Sequence, residues 1–150
     1  FRWILIVASV GLFGGALDVM AQPAKCPPTH RDAEGPFYEP NAPQRAVIGK
    51  GLVIAGTVRS AKDCAPIPRA RLEWWQANTR GEYDDAHRAR MEADGSGGYR
   101  FATNFPGVYP GRPPHIHVKV FVPGHRPLTT QLYPAPGQSQ ISFDFVVVPE

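Results

Sequence analysis

Cysteine is scarce in this 150-residue chain: there are two, Cys26 and Cys64, and neither belongs to a CxxC pair. A zinc ribbon or a dithiol redox centre would therefore lack its ligands. Runs of lysine or arginine are missing as well. The formal net charge of +3 and the pI near 9.1 come from scattered basic residues, which suit anionic substrates but form no patch for nucleic acid. No apolar stretch reaches the roughly 20 residues that a membrane-spanning helix needs. There is no internal repeat, and the only segment with helical potential, 84–92, is short and charged, so a loop or a single turn is expected there.

What the chain does contain sorts into a leader and one domain. Trp3 to Leu17 is a run of apolar or small residues broken only by Ser9; it follows Arg2 and stops at Asp18, the pattern of a secretory h-region. Val19-Met20-Ala21 offers a cleavage point before Gln22. Residues 1–21 are thus expected to be a signal peptide and 22–150 a single exported domain, periplasmic or secreted and free of the membrane once the leader is gone. The first residue is Phe1, so the export route stays open. In an oxidising compartment Cys26 and Cys64 are expected to pair, closing a loop of about 40 residues with a gain of about 3–4 kcal/mol in the chain-entropy model.

Fifteen glycines and 17 prolines argue against a helical bundle, and 43% hydrophobic residues argue against disorder. Residues 22–50 read as an extended arm, rich in Pro and polar residues, with an apolar-aromatic knot at Phe37-Tyr38. Strand signals follow at 52–60, 70–77, 99–103, 115–122, 128–133 and 141–148, separated by Gly/Pro/Asp/Asn turns. In the last, Ile141, Phe143, Phe145 and Val147 alternate with polar Ser142 and Asp144, as in a half-buried strand. The expected fold is all-β, a β-sandwich of mainly antiparallel strands with long loops.

One strand carries chemistry. His115 and His117 are two residues apart and project from the same face, while Ile116, Val118, Val120 and Val122 line the other, where the core is expected. Two paired imidazoles on a non-core face favour a metal site. His30, His87 and His125 read as exposed loop residues, and no carboxylate lies between Asp94 and Asp144, so nearby tyrosines become the candidates for further ligands. Tyr109 sits six residues before His115, and Tyr83 follows the second strand. A phenol with an ordinary pKa of about 10 needs a hard, highly charged cation to stay deprotonated, and ferric iron meets that need better than zinc or copper.

These residues occur in an ordered set: Glu34-Gly35-Pro36-Phe37-Tyr38, the stretch from Pro66 to Tyr83 containing Leu72-Glu73-Trp74-Trp75-Gln76, the segment from Arg112 to His117, and Thr130-Gln131-Leu132-Tyr133. The set resembles the intradiol ring-cleavage dioxygenases, in particular the protocatechuate 3,4-dioxygenase-like core and its small exported members. The resemblance implies a β-sandwich, in agreement with the strand pattern, and a non-haem Fe(III) held by Tyr83, Tyr109, His115 and His117. It implies an enzyme that opens a catecholic ring between its two hydroxylated carbons, placing both atoms of O2 in a muconate-type diacid. Tyr109 and a hydroxide would leave the metal as substrate binds and accept the two catechol protons, so that the site takes up a dianion without burying net charge. Arg112 would stabilise negative charge growing on the substrate, and Gln131 would assist by hydrogen bonding. The implied partners are a small catecholic molecule and O2; a homo-oligomer stays open. Only Pro110 and Gly111 separate Tyr109 from Arg112, where well-characterised members carry a longer loop, so an open site is expected.

Two other readings stand beside this one. A copper–zinc superoxide dismutase shares export, a sandwich and HxH, but needs about six histidines where this chain has five. A non-catalytic binding module would keep the motif without activity. Of Trp74 and Trp75, which point to opposite faces, one belongs to the core, and the sequence does not say which.

Overall fold

The computed structural model describes residues 26–150, so the leader expected at 1–21 lies outside the described residues. Alternating apolar residues give two facing sheets. In the first, β1 (Leu52–Ser60) pairs antiparallel with β4 (Gly98–Thr103), and its other edge takes β7 (Gln140–Ser142) and β8 (Phe145–Val147), both parallel. The second is antiparallel throughout, in the order β3 (Arg88–Glu92), β2 (Arg71–Gln76), β5 (Ile116–Phe121), β6 (Leu128–Leu132). Leu52, Ile54, Val58, Phe101 and Phe145 from one sheet meet Leu72, Trp74, Ile116, Val118 and Val120 from the other. Trp74 settles the tryptophan question, because it stacks on Phe101 at 4.4 Å in the core. The β-sandwich expected from the strand pattern is the observed fold.

Two local expectations are corrected. Segment 84–92 has the single turn expected, a 3₁₀ turn (Asp85–His87) capped by Asp84, but its remainder is not loop, since the turn leads directly into β3. Ala89 and Met91 alternate with Arg88, Arg90 and Glu92, and that period of two takes effect once β2 supplies backbone partners. The strand expected over 141–148 is two strands in one register. Between them the Asp144 carboxylate, instead of a backbone carbonyl, accepts from the Thr57 N–H at 2.8 Å. Gly56 permits this approach, since a Cβ there would lie 1.8 Å from the Phe143 carbonyl oxygen.

The outer face of the second sheet carries the functional residues. Register places Arg88, Trp75, His117 and Gln131 in one row across β3, β2, β5 and β6. Of the arm expected over 22–50, residues 32–39 lie on this face, while Thr29 bonds to β8 and residues 46–48 run beside β4. Asp32 N–H donates to Thr129 O (2.9 Å), Lys119 pairs with Glu34 (2.8 Å), and Arg88 donates to Phe37 O and Glu39. Tyr38 tilts against Trp75 at 5.2 Å and donates to Glu73; burial and that carboxylate push its phenol up to about 12.

Cys26 and Cys64 stand side by side as two thiols, with the expected disulfide not formed. Cys64 is hydrogen-bonded to Cys26, which raises its thiol above the ordinary value.

Candidate active site

Strand parity sends His115 and His117 to the outer face of the second sheet, as their spacing implied, but that face is not open. Their exposures are 3% and 2%: the arm stands against His117, and His115 is enclosed by Tyr83, His117 and Tyr133. Gly35, in the left-handed region at φ +70°, passes directly over the His117 ring; a Cβ would touch its Cε1 at 3.4 Å. Trp75 stacks on that ring at 4.8 Å with the planes 4° apart. His117 is thus held by a tryptophan and an arm glycine. His115 is fixed through Nδ1, which donates to Pro113 O at 2.8 Å and leaves the Nε2 lone pair free.

Both Nε2 atoms face one point. They are 3.1 Å apart, and Tyr83 Oη lies 3.2 Å from His115 Nε2. Donor spacings of this size are close to the edge of a coordination shell with bonds of roughly 2.1 Å. Burial, then the neighbouring His115 and Arg112, lowers His117 to about 4, and burial lowers His115 as well, so both rings offer lone pairs at neutral pH. Burial raises the Tyr83 phenol, which therefore stays protonated unless a strong positive charge stands beside it. His117 Nδ1 is buried without a hydrogen-bond partner. Among the described residues no group of three His, Cys, Asp or Glu side chains could hold a metal, and the third donor beside the two imidazoles is the Tyr83 phenol. This donor set fits a hard trivalent cation.

The two tyrosine loops are built to meet. Asn78 folds the first: its Oδ1 accepts from Arg80 and Glu82 N–H groups, and its Nδ2 donates to Asp84. The second loop packs against it backbone to backbone, with Gly107 N–H donating to Ala77 O at 3.0 Å. Tyr109 ends there, its ring edge-on to Tyr83 at 6.1 Å, with Phe37 stacked on Tyr83 at 4.4 Å and edge-on to Tyr109. Tyr109-Pro110-Gly111-Arg112 is a tight turn, with Arg112 N–H donating to Tyr109 O and Gly111 at φ +78°, the signature of a type II turn. The short link between Tyr109 and Arg112 thereby makes them neighbours.

Arg112 Nη2 donates to Gln131 Oε1 at 2.7 Å and lies 3.3 Å from Tyr133 Oη. Gln131 Nε2 donates to Ala33 O. Every residue singled out at the site therefore joins one cluster, whereas His87 and His125 pair with Asp84 and Ser60. Sequence reasoning missed Asp32 and Tyr133, and it left the roles of Trp75 and Phe37 undecided. Tyr133 was within reach, two residues beyond Gln131 on the same face; Asp32 was not, because a search for carboxylates near the histidines in sequence cannot see the arm. A cavity of about 530 Å³ lined by Arg69, Met91, Asp94 and Tyr99 contains none of these donors, so donor chemistry and not cavity size locates the site.

A family model described as a dioxygenase matches residues 33–148. A catechol 1,2-dioxygenase of Acinetobacter baylyi is 32% identical over 69% of this chain and 45% of its own length. A chlorocatechol 1,2-dioxygenase of Pseudomonas sp. strain P51 is 31% identical over 67% of this chain and 53% of its own. The chain thus spans about half the length of these curated relatives. Among solved structures, the dioxygenase domain of a dioxygenase–carbohydrate-binding protein fusion from Streptomyces sp. SirexAA-E superposes with a TM-score of 0.74 at 32% identity, covering 83% of this chain and all of that domain.

Proposed function

The chain belongs to the intradiol ring-cleavage dioxygenases, and from that membership we propose that it binds a non-haem ferric ion through Tyr83, Tyr109, His115 and His117. The reaction is cleavage of a catecholic ring between its hydroxylated carbons, both atoms of O2 entering a muconate-type diacid. The observation that carries the reading is the convergence of Tyr83 Oη, His115 Nε2 and His117 Nε2 with spacings of 3.1–3.2 Å. When bound, the ferric ion supplies activation of the catecholate toward O2.

The chain's own residues do the rest. Trp75 and Gly35 hold the His117 ring, and Pro113 O fixes the tautomer of His115. The arm keeps bulk water from the histidine side. Tyr109 Oη accepts a catechol proton, and half-exposed Arg112, its turn neighbour, offers N–H donors to negative charge that grows on the substrate oxygens. The leader signature at Trp3–Leu17 supports export, where Cys26 and Cys64 would join as a disulfide.

A visible spectrum with metal analysis of the full chain, before and after anaerobic addition of catechol, tests this. A tyrosinate-to-iron charge-transfer band is expected, shifting with catechol and weakened in Tyr83→Phe and Tyr109→Phe. A protein still colourless after loading with ferric iron overturns it.

A further inference from the structure

We propose that Asp32, on the N-terminal arm, is a positioning residue for Arg112 and Gln131, acting through Tyr133; the proposal rests on the dioxygenase reading of this site. Tyr133 Oη lies 2.7 Å from Asp32 Oδ2, 2.9 Å from Gln131 Oε1 and 3.3 Å from Arg112 Nη2. A tyrosine has one hydroxyl proton, so it can donate to only one of the two oxygens. The Tyr133 hydrogen bond and the Ala33 N–H hold the Asp32 carboxyl below its ordinary range, so Asp32 is an acceptor only and takes the proton.

The rest of the network follows by counting protons. With the Tyr133 O–H donating to Asp32, the Tyr133 and Gln131 oxygens are both acceptors and stand 2.9 Å apart. Arg112 Nη2 has two hydrogens and serves both, one to Gln131 Oε1 and one to Tyr133 Oη. Gln131 cannot flip, because its Nε2 donates to Ala33 O at 2.7 Å. Arg112 is then tethered by one nitrogen, with Nη1 and Nε left for substrate. Without the Asp32 carboxylate the Tyr133 proton turns to Gln131 Oε1, competes with Arg112 for that oxygen and takes away its second acceptor. The arm is held at this point independently, by Asp32 N–H to Thr129 O, Thr130 Oγ1–H to His30 O and Arg31 Nη1 to Pro127 O. Asp32 is thus not needed merely to dock it.

The test compares Asp32→Asn, Tyr133→Phe, their double variant and Arg31→Ala with wild type, all in the full iron-loaded chain with catechol. Asp32→Asn is expected to lower kcat at least tenfold with KM within about threefold, since Arg112 serves the transition state, and to leave the resting charge-transfer band unchanged. The double variant should match Tyr133→Phe alone. Arg31→Ala, which removes only an arm anchor, should keep wild-type kcat. In the metal-free protein the Arg112 side-chain Nε–Hε NMR resonance should move in Asp32→Asn and stay in Arg31→Ala. A kcat for Asp32→Asn within twofold of wild type, additive losses in the double variant, or an unmoved Arg112 resonance overturns the proposal. A wild-type chain that takes up no ferric iron and consumes no catechol overturns the dioxygenase reading beneath it, a different and separately visible failure.

Discussion

Gly107→Ala should separate the two tyrosine loops, and its cost can be worked out from distances. A Cβ on Gly107 would stand 1.7 Å from Asn78 O and 2.7 Å from its carbonyl carbon. An ordinary C···O contact is about 3.3–3.6 Å, so the loops must part by roughly 1.5 Å or more. Both contacts are with backbone, so no flexible side chain can swing aside. The movement breaks the Gly107 N–H to Ala77 O bond, worth about 0.5–1.5 kcal/mol, and overpacking adds about 1–3 kcal/mol. A loss of about 2–4 kcal/mol corresponds to a fall in Tm of roughly 6–20 °C for a domain of this size. Thermal unfolding followed by circular dichroism measures it. Gly95→Ala is the control, since nothing lies within 4 Å of a Cβ there, and it should stay within about 0.5 kcal/mol. The same Gly107→Ala protein, loaded with ferric iron, should show a weaker charge-transfer band, because Tyr83 and Tyr109 no longer keep their spacing. A Tm within about 2 °C of wild type would refute the reasoning.

Trp74→Ala and Trp75→Ala should each cost about 3–5 kcal/mol in denaturant unfolding, but only the Trp75 variant should also alter the iron band, since Trp75 alone of the two stacks on His117. Refolding under oxidising conditions should join Cys26 to Cys64, with a mass lower by about two hydrogens and a gain of about 3–4 kcal/mol over the reduced protein; thiols that persist by titration would count against the disulfide. The depressed carboxyl of Asp32 adds stability that is present above its unfolded value of about 3.9 and lost as pH falls through the lower folded one. The stability gap between wild type and Asp32→Asn should hold from pH 8 to 5 and shrink below about pH 4; shrinkage near neutrality would show that another group is responsible.

Much of the site was legible because strand parity is local. The i, i+2 spacing of His115 and His117 fixed their common face, and the Val118–Val120 side became core. Nearness in sequence made Tyr83 and Tyr109 candidates without coordinates, and the family resemblance implied that they are ligands. What the sequence did not show is that the histidines are buried, with Gly35 of the arm, far away in sequence, against His117. In segment 84–92 the single turn was legible but strand β3 was not, because buried Arg88 is satisfied from the arm, with Phe37 O and Glu39 accepting its N–H groups.

By itself, then, the sequence determined the class of fold, the face on which the histidines stand and the kind of donor near them, since period-two alternation and side-chain chemistry act over a few residues. Tertiary structure alone decided that Trp75, His117 and Gln131 share one row, that Gly35 covers a ring 82 positions away, and that Asp32 sets the proton order around Arg112. Such placements depend on strand register and on how the arm docks. Both are fixed by the summed burial of a whole sheet face and not by any local preference.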